Sequence, residues 1–317
     1  MALIYNASFD STTRVLSLLD KAGNTISSCE VPSKEPLVDD PNKPLMLRAI
    51  EGNSSVTLSK NGTLSNTYQT STNGTDWTDY TLGTKISLNK DESVYFRCSN
   101  HPTTQNYNDY VQFVMTGKVE AWHNAYSMIS SSFTNTGDSV GNYGMYRLFN
   151  GCASLTKAPL LLNALADHCY DSMFSNCASL TKAPDLPATT LSPYCYWSMF
   201  SLCGALTKAP DLPATTLSTY CYYEMFSNCA SLTKAPDLPA TTLSPYCYKW
   251  MFNWCRSLAE VRIAATTIAT GALVNWLNKV SATGDFYCDP NTTFPSGESG
   301  IPQGWRRLNI ADYPVTP

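Results

Sequence analysis

Three consecutive stretches of this chain are almost identical, and they decide its fold. Residues 173–198 read MFSNCASLTKAPDLPATTLSPYCYWS, residues 199–224 read MFSLCGALTKAPDLPATTLSTYCYYE, and residues 225–250 read MFSNCASLTKAPDLPATTLSPYCYKW. The period is 26 residues, which is typical of a solenoid of stacked coils. A unit of this size cannot bury its own apolar face and must stack on its neighbours. The repeat therefore predicts a long surface, which favours binding over catalysis.

Identical residues recur in columns along these copies, and a degenerate first copy begins at Leu148. The segment Cys-Tyr-x-x-Met-Phe-x-x-Cys has apolar residues at helical spacing and predicts a short helix or 3₁₀ turn in each coil. The segment around Lys-Ala-Pro-Asp-Leu-Pro predicts very short strands, because proline cannot donate to a backbone ladder. We therefore expect a leucine-rich-repeat solenoid with short helices over residues 148–268. The clearest columns are Met173, Met199, Met225 and Met251; Cys169, Cys195, Cys221 and Cys247; and Cys177, Cys203, Cys229 and Cys255.

Both ends of the repeat are predicted to be capped. In the last copy, Glu260 replaces the column lysine and Arg262 replaces a proline, and a divergent terminal copy is what capping requires. Residues 269–280 are expected to form a terminal helix within a C-terminal cap at 269–317. Residues 119–147 lack the repeat and are expected to cap its N-terminal end.

The chain before the repeat divides into three segments. Residues 1–31 alternate apolar and polar residues around a Lys-Ala-Gly-Asn turn and predict a small β unit. Residues 32–44 contain four prolines and predict a stiff linker. Residues 45–118 show strand patterns separated by Asn-Gly turns and predict a small β-sandwich. The expected fold class is mostly β. The strand candidates are residues 45–49, 55–58, 67–71, 85–88, 94–98 and 111–115.

Composition excludes several classes of function. Charged residues make up 15% of the chain and the net charge is −4, so the basic footprint of a nucleic-acid-binding protein is absent. No apolar run approaches the roughly 18 residues of a membrane span, so membrane insertion is not expected. The first residues lack the features of a secretory signal peptide. If Met1 is the natural start, we expect that the protein does not use the usual secretory route.

Few residues suggest chemistry. Nine of the twelve cysteines are repeat positions, and we expect buried free thiols, although disulfides between adjacent coils are geometrically conceivable. No Cys pair has zinc-site spacing, and we expect neither metal nor cofactor. His168 occupies a column that holds tyrosine in later copies and is interpreted as a packing substitute. No nucleophile motif or carboxylate pair predicts catalytic residues.

Two further columns carry opposite charges and admit two interpretations. Lysine recurs in one column and aspartate recurs three residues later. An acidic ladder for calcium is one interpretation, and charge compensation between stacked coils is the favoured one. The residues are Lys182, Lys208 and Lys234, with Asp185, Asp211 and Asp237.

Positions that differ between otherwise identical copies indicate where stacking does not dictate the residue. The pairs that follow each Cys-Tyr and each Met-Phe exchange charged, aromatic and small residues, so we expect them to face solvent. Exposed Trp and Tyr are common in recognition surfaces, although neutral drift on a solvated edge is the alternative. The candidate binding residues are Tyr146, Trp197, Tyr223, Trp250 and Trp254.

The repeat unit resembles the BspA-like leucine-rich repeats of surface proteins from gut Bacteroidales. The preceding region, with STNGTDWTDY, VYFR and YVQFVMTGK, resembles a β domain that often precedes such repeats, and GIPQGW at 300–305 resembles the usual end of that architecture. Proteins of this kind also occur in bacteriophages of these hosts, including crAss-like phages. Residues 1–31 are similar to short attachment modules of phage structural proteins. The resemblance implies adhesion or recognition and supplies no catalytic residues.

These observations favour a non-enzymatic virion protein, a fibre or spike component, that binds a glycan or protein on the host surface. Its N-terminal segment would contact other virion proteins, and a homotrimer is one possible assembly. A bacterial surface adhesin without its export signal is the alternative. A glycan-degrading enzyme is a second alternative, which would require paired carboxylates in a cleft.

Overall fold

A computed structural model describes residues 6–10, 15–19, 22–30, 37–100, 105–130, 140–161, 163 and 165–313 of the 317-residue chain. These residues form strands and turns, so the prediction of a mostly β protein is confirmed. The helical segments among them are two 3₁₀ helices, Ala125–Met128 and Ile310–Asp312. Residues 1–38 and 39–317 form separate compact units.

The first unit contains three strands in one antiparallel sheet of order β1-β2-β3. These are β1 (Asn6–Asp10), β2 (Val15–Leu19) and β3 (Thr25–Glu30). Residues 22–24 lie between β2 and β3 at the predicted turn. The predicted role of this unit in attachment stays a prediction.

The second unit begins with two sheets that share a core. One sheet has the order β10-β5-β8, and the other has the order β12-β11-β4-β9-β6-β7. The Phe96 ring packs edge-on against Phe113 at 5.0 Å between ring centroids, which joins the two sheets. The strands before the repeat are β4 (Met46–Ala49), β5 (Ser54–Asn61), β6 (Thr67–Ser71), β7 (Thr78–Tyr80), β8 (Ile86–Leu88), β9 (Ser93–Asn100), β10 (Tyr110–Thr116) and β11 (Val119–Trp122).

Strands within the repeat are two or three residues long, and the two strands after it have five residues each. Proline at several positions of each copy explains the short strands of the repeat, because it lacks the N–H that a ladder requires. In chain order, the strands within and after the repeat are β12 (Leu155–Lys157), β13 (Thr242–Leu243), β14 (Glu260–Arg262), β15 (Thr267–Ile268), β16 (Gly284–Cys288) and β17 (Trp305–Asn309).

The segment predicted to form a short helix or 3₁₀ turn in each copy forms a series of consecutive turns closed by i+3 to i hydrogen bonds. The Met173 N–H donates to the Tyr170 carbonyl three residues back, at 3.2 Å, whereas the Phe174 N–H donates to the Met199 carbonyl of the next copy, at 3.0 Å. Successive amides therefore alternate: one donates within its own copy, and the next donates to the following copy. An α-helix commits every amide to its own segment, so the prediction of short helices is wrong.

Left-handed residues occur at every fourth position of these turns. Where the first of the three near-identical stretches passes into the second, φ is 56° at Tyr194, 50° at Ser198 and 64° at Leu202. Each is the third residue of a turn closed by an i+3 to i hydrogen bond, where a type II turn requires positive φ. Residues 270–279 show the same turns, so the predicted terminal helix is also wrong.

The interior of the repeat is formed by the predicted columns. All members of the Met column and of both Cys columns are fully buried, which confirms that expectation. The Cys203 thiol donates to the Phe174 carbonyl of the preceding copy, at 3.2 Å, and Cys229 contacts Phe200 in the same way, at 3.1 Å. Burial raises the pKa of Cys203 to about 12. Cysteine suits this position because it is small and apolar and also supplies a weak donor.

Strands of the β region cover the first copy. Phe113 of β10 stacks on Phe149 at 5.2 Å, and its carbonyl accepts from the Cys152 thiol at 3.1 Å. β11 pairs in parallel with β12 of the first copy. β10 therefore takes the position that a preceding copy would have. The residues that cap the N-terminal end of the repeat thus include β10, which lies outside the predicted range 119–147.

At the other end, β14, β16 and β17 pair in parallel and continue the stack. No helix in the part of the chain that the structure describes is both long enough and apolar enough to span a membrane.

Candidate binding surface

Five rings stack face to face along one side of the repeat. The centroids of Tyr143, His168, Tyr194, Tyr220 and Tyr246 are separated in turn by 4.6, 4.4, 5.0 and 4.8 Å, and adjacent planes differ by 10° or less. All five residues have φ between 54° and 58°. The turn geometry therefore projects the same position outward from each copy, and we call these residues the ring column. His168 replaces a tyrosine within the stack, as the interpretation of a packing substitute requires.

Three of the predicted binding residues lie together beside this column. The ring centroids of Trp197 and Tyr223 are 4.5 Å apart, and those of Tyr223 and Trp250 are 5.3 Å apart. Trp197 also stacks on Tyr194 at 5.3 Å and on Tyr220 at 6.0 Å. We call the ring column together with Trp197, Tyr223 and Trp250 the aromatic strip.

The expectation that the variable positions face solvent is wrong for two candidates. Tyr146 is 7% exposed and Tyr223 is 8% exposed. Tyr223 is covered by Trp197 and Trp250, which contact it from the neighbouring copies. Burial raises the pKa of Tyr223 to about 12. Trp197 and Trp250 are half-buried, so their remaining surface is the accessible part of this row.

Tyr146 lies in a separate cluster at the start of the repeat. Its ring packs edge-on against Tyr107 at 5.3 Å and against Tyr110 at 5.2 Å, and the Arg147 guanidinium lies 5.6 Å from its centroid. Burial raises the pKa of Tyr146 to about 12, against the opposing charge of Arg147. This residue is therefore a packing residue between the β region and the first copy.

Trp254 lies four residues beyond Trp250 and makes none of the ring contacts that define the strip. It is 38% exposed, and its recorded ring contact within the described residues is with the guanidinium of Arg256, at 4.8 Å. The structure therefore brings together three of the five candidates and separates Tyr146 and Trp254 from them.

The stacking determines which atoms of the strip a ligand can reach. Within the ring column, each inner face is covered by the next ring, and the backbone of Gly271 lies against the Tyr246 ring, where an added Cβ would approach within 2.3 Å. Tyr194, Tyr220 and Tyr246 are partly exposed, so their accessible surface lies at the ring edges. The Lys249 ammonium lies 4.7 Å from the Trp250 centroid and 5.5 Å from that of Tyr246, so the strip includes a positive charge.

One hydrogen-bonded group has residue types found in hydrolases. His168 Nδ1 lies 2.9 Å from an Asp171 carboxylate oxygen, and the other oxygen accepts from the Ser172 hydroxyl at 2.7 Å. The carboxylate thus lies between serine and histidine, whereas nucleophilic catalysis requires the histidine in the middle. This arrangement does not activate the serine. In the described parts of the chain, no group of three or more His, Cys, Asp or Glu side chains is arranged to hold a metal ion.

The ring column itself was not among the predicted site residues. Sequence reasoning assigned invariant positions to stacking and variable positions to recognition, so the tyrosines common to the copies were set aside. The available signal was the Pro-Tyr pair in two of the three stretches, because Pro at the second and a positive φ at the third residue define a type II turn.

Comparison with known proteins found no matching family model, no matching curated protein and no matching solved structure.

Proposed function

We propose that this protein is a non-enzymatic recognition protein and that the aromatic strip binds a glycan or protein on a host cell surface. We further propose that residues 148–268 form a leucine-rich-repeat solenoid of the BspA-like kind. The support is the register of the copies, which bond to one another through alternate backbone amides and bury the same columns.

The observation that carries the proposed function is the aromatic strip. Accessible aromatic side chains that lie together on a rigid surface are typical of binding hot spots. Trp197 and Trp250 retain accessible surface on the two sides of Tyr223. Planar rings of this kind pack on the C–H faces of sugars, and the hydroxyls of the ring column supply polar partners. A glycan is therefore the favoured ligand.

We propose a virion fibre or spike component as the setting, with residues 1–31 attached to other virion proteins. The similarity of that segment to phage attachment modules supports this setting. A bacterial surface adhesin is the alternative, and mass spectrometry of purified virions distinguishes the two. A glycan-degrading enzyme is the less supported alternative, because Asp171 is held between Ser172 and His168. Of the two carboxylates that line a concavity of the repeat, Asp211 and Asp237, the second is paired with Arg262.

The test compares two tryptophans that lie four residues apart. Trp250 lies in the strip and Trp254 lies outside it, and both have positive φ, at 58° and 64°. Asparagine tolerates this conformation, so Trp250→Asn and Trp254→Asn are matched substitutions. Labelled full-length protein is incubated with Bacteroidales cells, and bound protein is measured with and without periodate, which destroys sugar diols.

We expect Trp250→Asn combined with Trp197→Ala to reduce cell binding at least tenfold, because hot-spot residues carry most of the binding energy. Trp254→Asn should bind like the unchanged protein, and periodate should abolish binding. Thermal unfolding confirms that each variant is folded. Equal binding by all variants would remove the strip from consideration, and periodate-resistant binding would favour a protein receptor.

A further inference from the structure

A second surface repeats along the coils and is not part of the aromatic strip. It follows the lysine column, in which Lys157 of the first copy precedes Lys182, Lys208 and Lys234 at the same position. Lys157 forms a parallel bridge with Lys182, and Lys234 forms one with Glu260. Four copies in succession therefore present lysine at one position of the stack, and the fifth presents glutamate.

The two ends of this column are occupied by the chain itself, and in the same way. At the first end, the Lys157 ammonium pairs with Asp39 at 2.9 Å and lies 3.8 Å from the Trp122 ring centroid. At the last end, the Lys234 ammonium pairs with Glu260 at 3.0 Å and lies 4.9 Å from the Tyr313 ring centroid. Each terminal lysine thus receives one carboxylate and one aromatic ring.

The two internal lysines receive neither. Among the residues that the structure describes, no carboxylate lies within 4.0 Å of the Lys182 or Lys208 ammonium, and no ring contact of either is recorded there. Both side chains are exposed. Direct pairing between coils occurs at Lys234–Glu260, whereas these two lysines share their concavities with Asp185 and Asp211 without such a contact.

These lysines line a continuous groove. A concavity of about 600 Å³ contains two lysines and two aspartates, Lys208, Lys234, Asp211 and Asp237. A second of about 220 Å³ contains Lys182 and Asp185 and shares Lys208 and Asp211 with the first. Each concavity contains as many aspartates as lysines, but no carboxylate within the described residues contacts the exposed Lys182 and Lys208 ammonium groups directly, so both remain accessible to a carboxylate of a ligand.

We propose that this groove binds an extended segment of a partner protein in which acidic residues alternate with aromatic ones. The two terminal lysines show the arrangement that satisfies this position, a carboxylate on the ammonium and a ring above it. Carboxylates of the partner pair with Lys182 and Lys208, and its rings pack over the ammonium groups. Backbone N–H groups of the partner donate to Asp185 and Asp211. An acidic glycan would supply carboxylates but no aromatic ring.

The test uses full-length protein and a fluorescein-labelled peptide of alternating glutamate, tyrosine and glycine, followed by fluorescence polarisation. Lys182→Gln with Lys208→Gln removes both charges and keeps the side-chain length, and Lys90→Gln on the β region is the matched control. We expect the double variant to lose about tenfold or more in affinity, since hydrogen bonds to charged groups are involved, and the control to bind as before. Replacement of tyrosine by alanine in the peptide should weaken binding about two- to fivefold.

Thermal unfolding separates binding from a structural role. Both lysines are exposed and make no direct ion pair in the described residues, so the double variant should unfold at a midpoint close to that of the unchanged protein. Unchanged peptide affinity in the double variant would overturn the proposal. Equal affinity for the tyrosine-free peptide, or full competition by polygalacturonate, would also overturn it in favour of an acidic glycan.

Discussion

The ring column and the lysine column are built by the same rule, yet repetition has opposite energetic consequences in the two. Each places one residue type at one position of successive copies. Stacked rings attract one another, so every added copy stabilises the ring column. Adjacent ammonium groups repel, and the lysine column forms direct ion pairs at its two ends, with Asp39 and Glu260. Invariance within a repeat therefore identifies a stacked position but does not say whether the stacking is favourable.

The largest expected effect is a loss of stability at high pH, because it acts on the buried cysteines in the interior that carries both columns. Burial raises the pKa of four column thiols from 9.0 to about 12; they are Cys169, Cys203, Cys221 and Cys255. An unfolded thiol ionises above pH 9 while the buried thiol stays protonated, so stability is complete below pH 9 and falls between pH 9 and 12. In this range each thiol lowers the free energy of unfolding by ~1.4 kcal/mol per pH unit, and the four together lower it by about 5 kcal/mol per pH unit.

Circular dichroism and thiolate absorbance, recorded together from pH 8 to 11, check this expectation. The two signals should change in one transition as the stack unfolds. Thiolate absorbance that develops while the native spectrum persists would show that these cysteines are accessible in the folded state.

A smaller effect tests the comparison directly within one stretch of the repeat. Tyr220 has a ring on each side, at 5.0 and 4.8 Å, and Lys208 has no carboxylate partner in the described part of the chain. Tyr220→Ala should lower the free energy of unfolding by about 1–3 kcal/mol, from two aromatic contacts. Lys208→Gln should change it by less than about 0.5 kcal/mol, towards greater stability. Urea unfolding measures both, and equal destabilisation would contradict the distinction between the columns.

The smallest effect concerns a column that is neither stacked nor charged. Leu202 is 47% exposed and has a φ of 64°, and Asn228 holds the same position one copy later with a φ of 61°. Leucine is strained in the left-handed region, whereas asparagine tolerates it. Leu202→Asn should stabilise the protein by about 0.5–1 kcal/mol, and Asn228→Leu should destabilise it by a similar amount. A chemical-denaturation midpoint that moves the same way in both variants would show that strain is not the cause.

The sequence predicted the strand content and the interior better than the local backbone. Strands β4, β5, β6, β8, β9 and β10 were each anticipated within a few residues, because alternation and Asn-Gly turns specify them locally. β7 and β11 were not: β7 is a three-residue strand that pairs with the neighbouring β6, and β11 depends on the distant partners β4 and β12. The buried Met and Cys columns followed from the period alone. The turns were mistaken for helices, because apolar spacing cannot reveal that alternate amides bond to the next copy.

The candidate site was predicted only in part for a related reason. Variation between copies located Trp197 and Trp250, but it did not distinguish an accessible position from one covered by a neighbouring copy, as at Tyr223. The open lysines were assigned to charge compensation, because the sequence shows which charges share a column and not whether their side chains meet. Contacts between copies determine both the accessibility of a variable position and the pairing of a column charge. The sequence of a single copy does not reveal these contacts.

The alternation of backbone hydrogen bonds also bears on how this protein can change its length. Every internal copy offers the same donors to the copy after it and the same acceptors to the copy before it. Residues 199–224 could be deleted in frame, which would join Ser198 to Met225. The copies on the two sides of the junction would then stack on a copy of nearly the same sequence as before. The near-identity of the copies makes such exchanges natural products of recombination. The length of the repeat and the number of its binding positions can therefore vary between descendants of one gene, while the regions that cap its two ends stay constant.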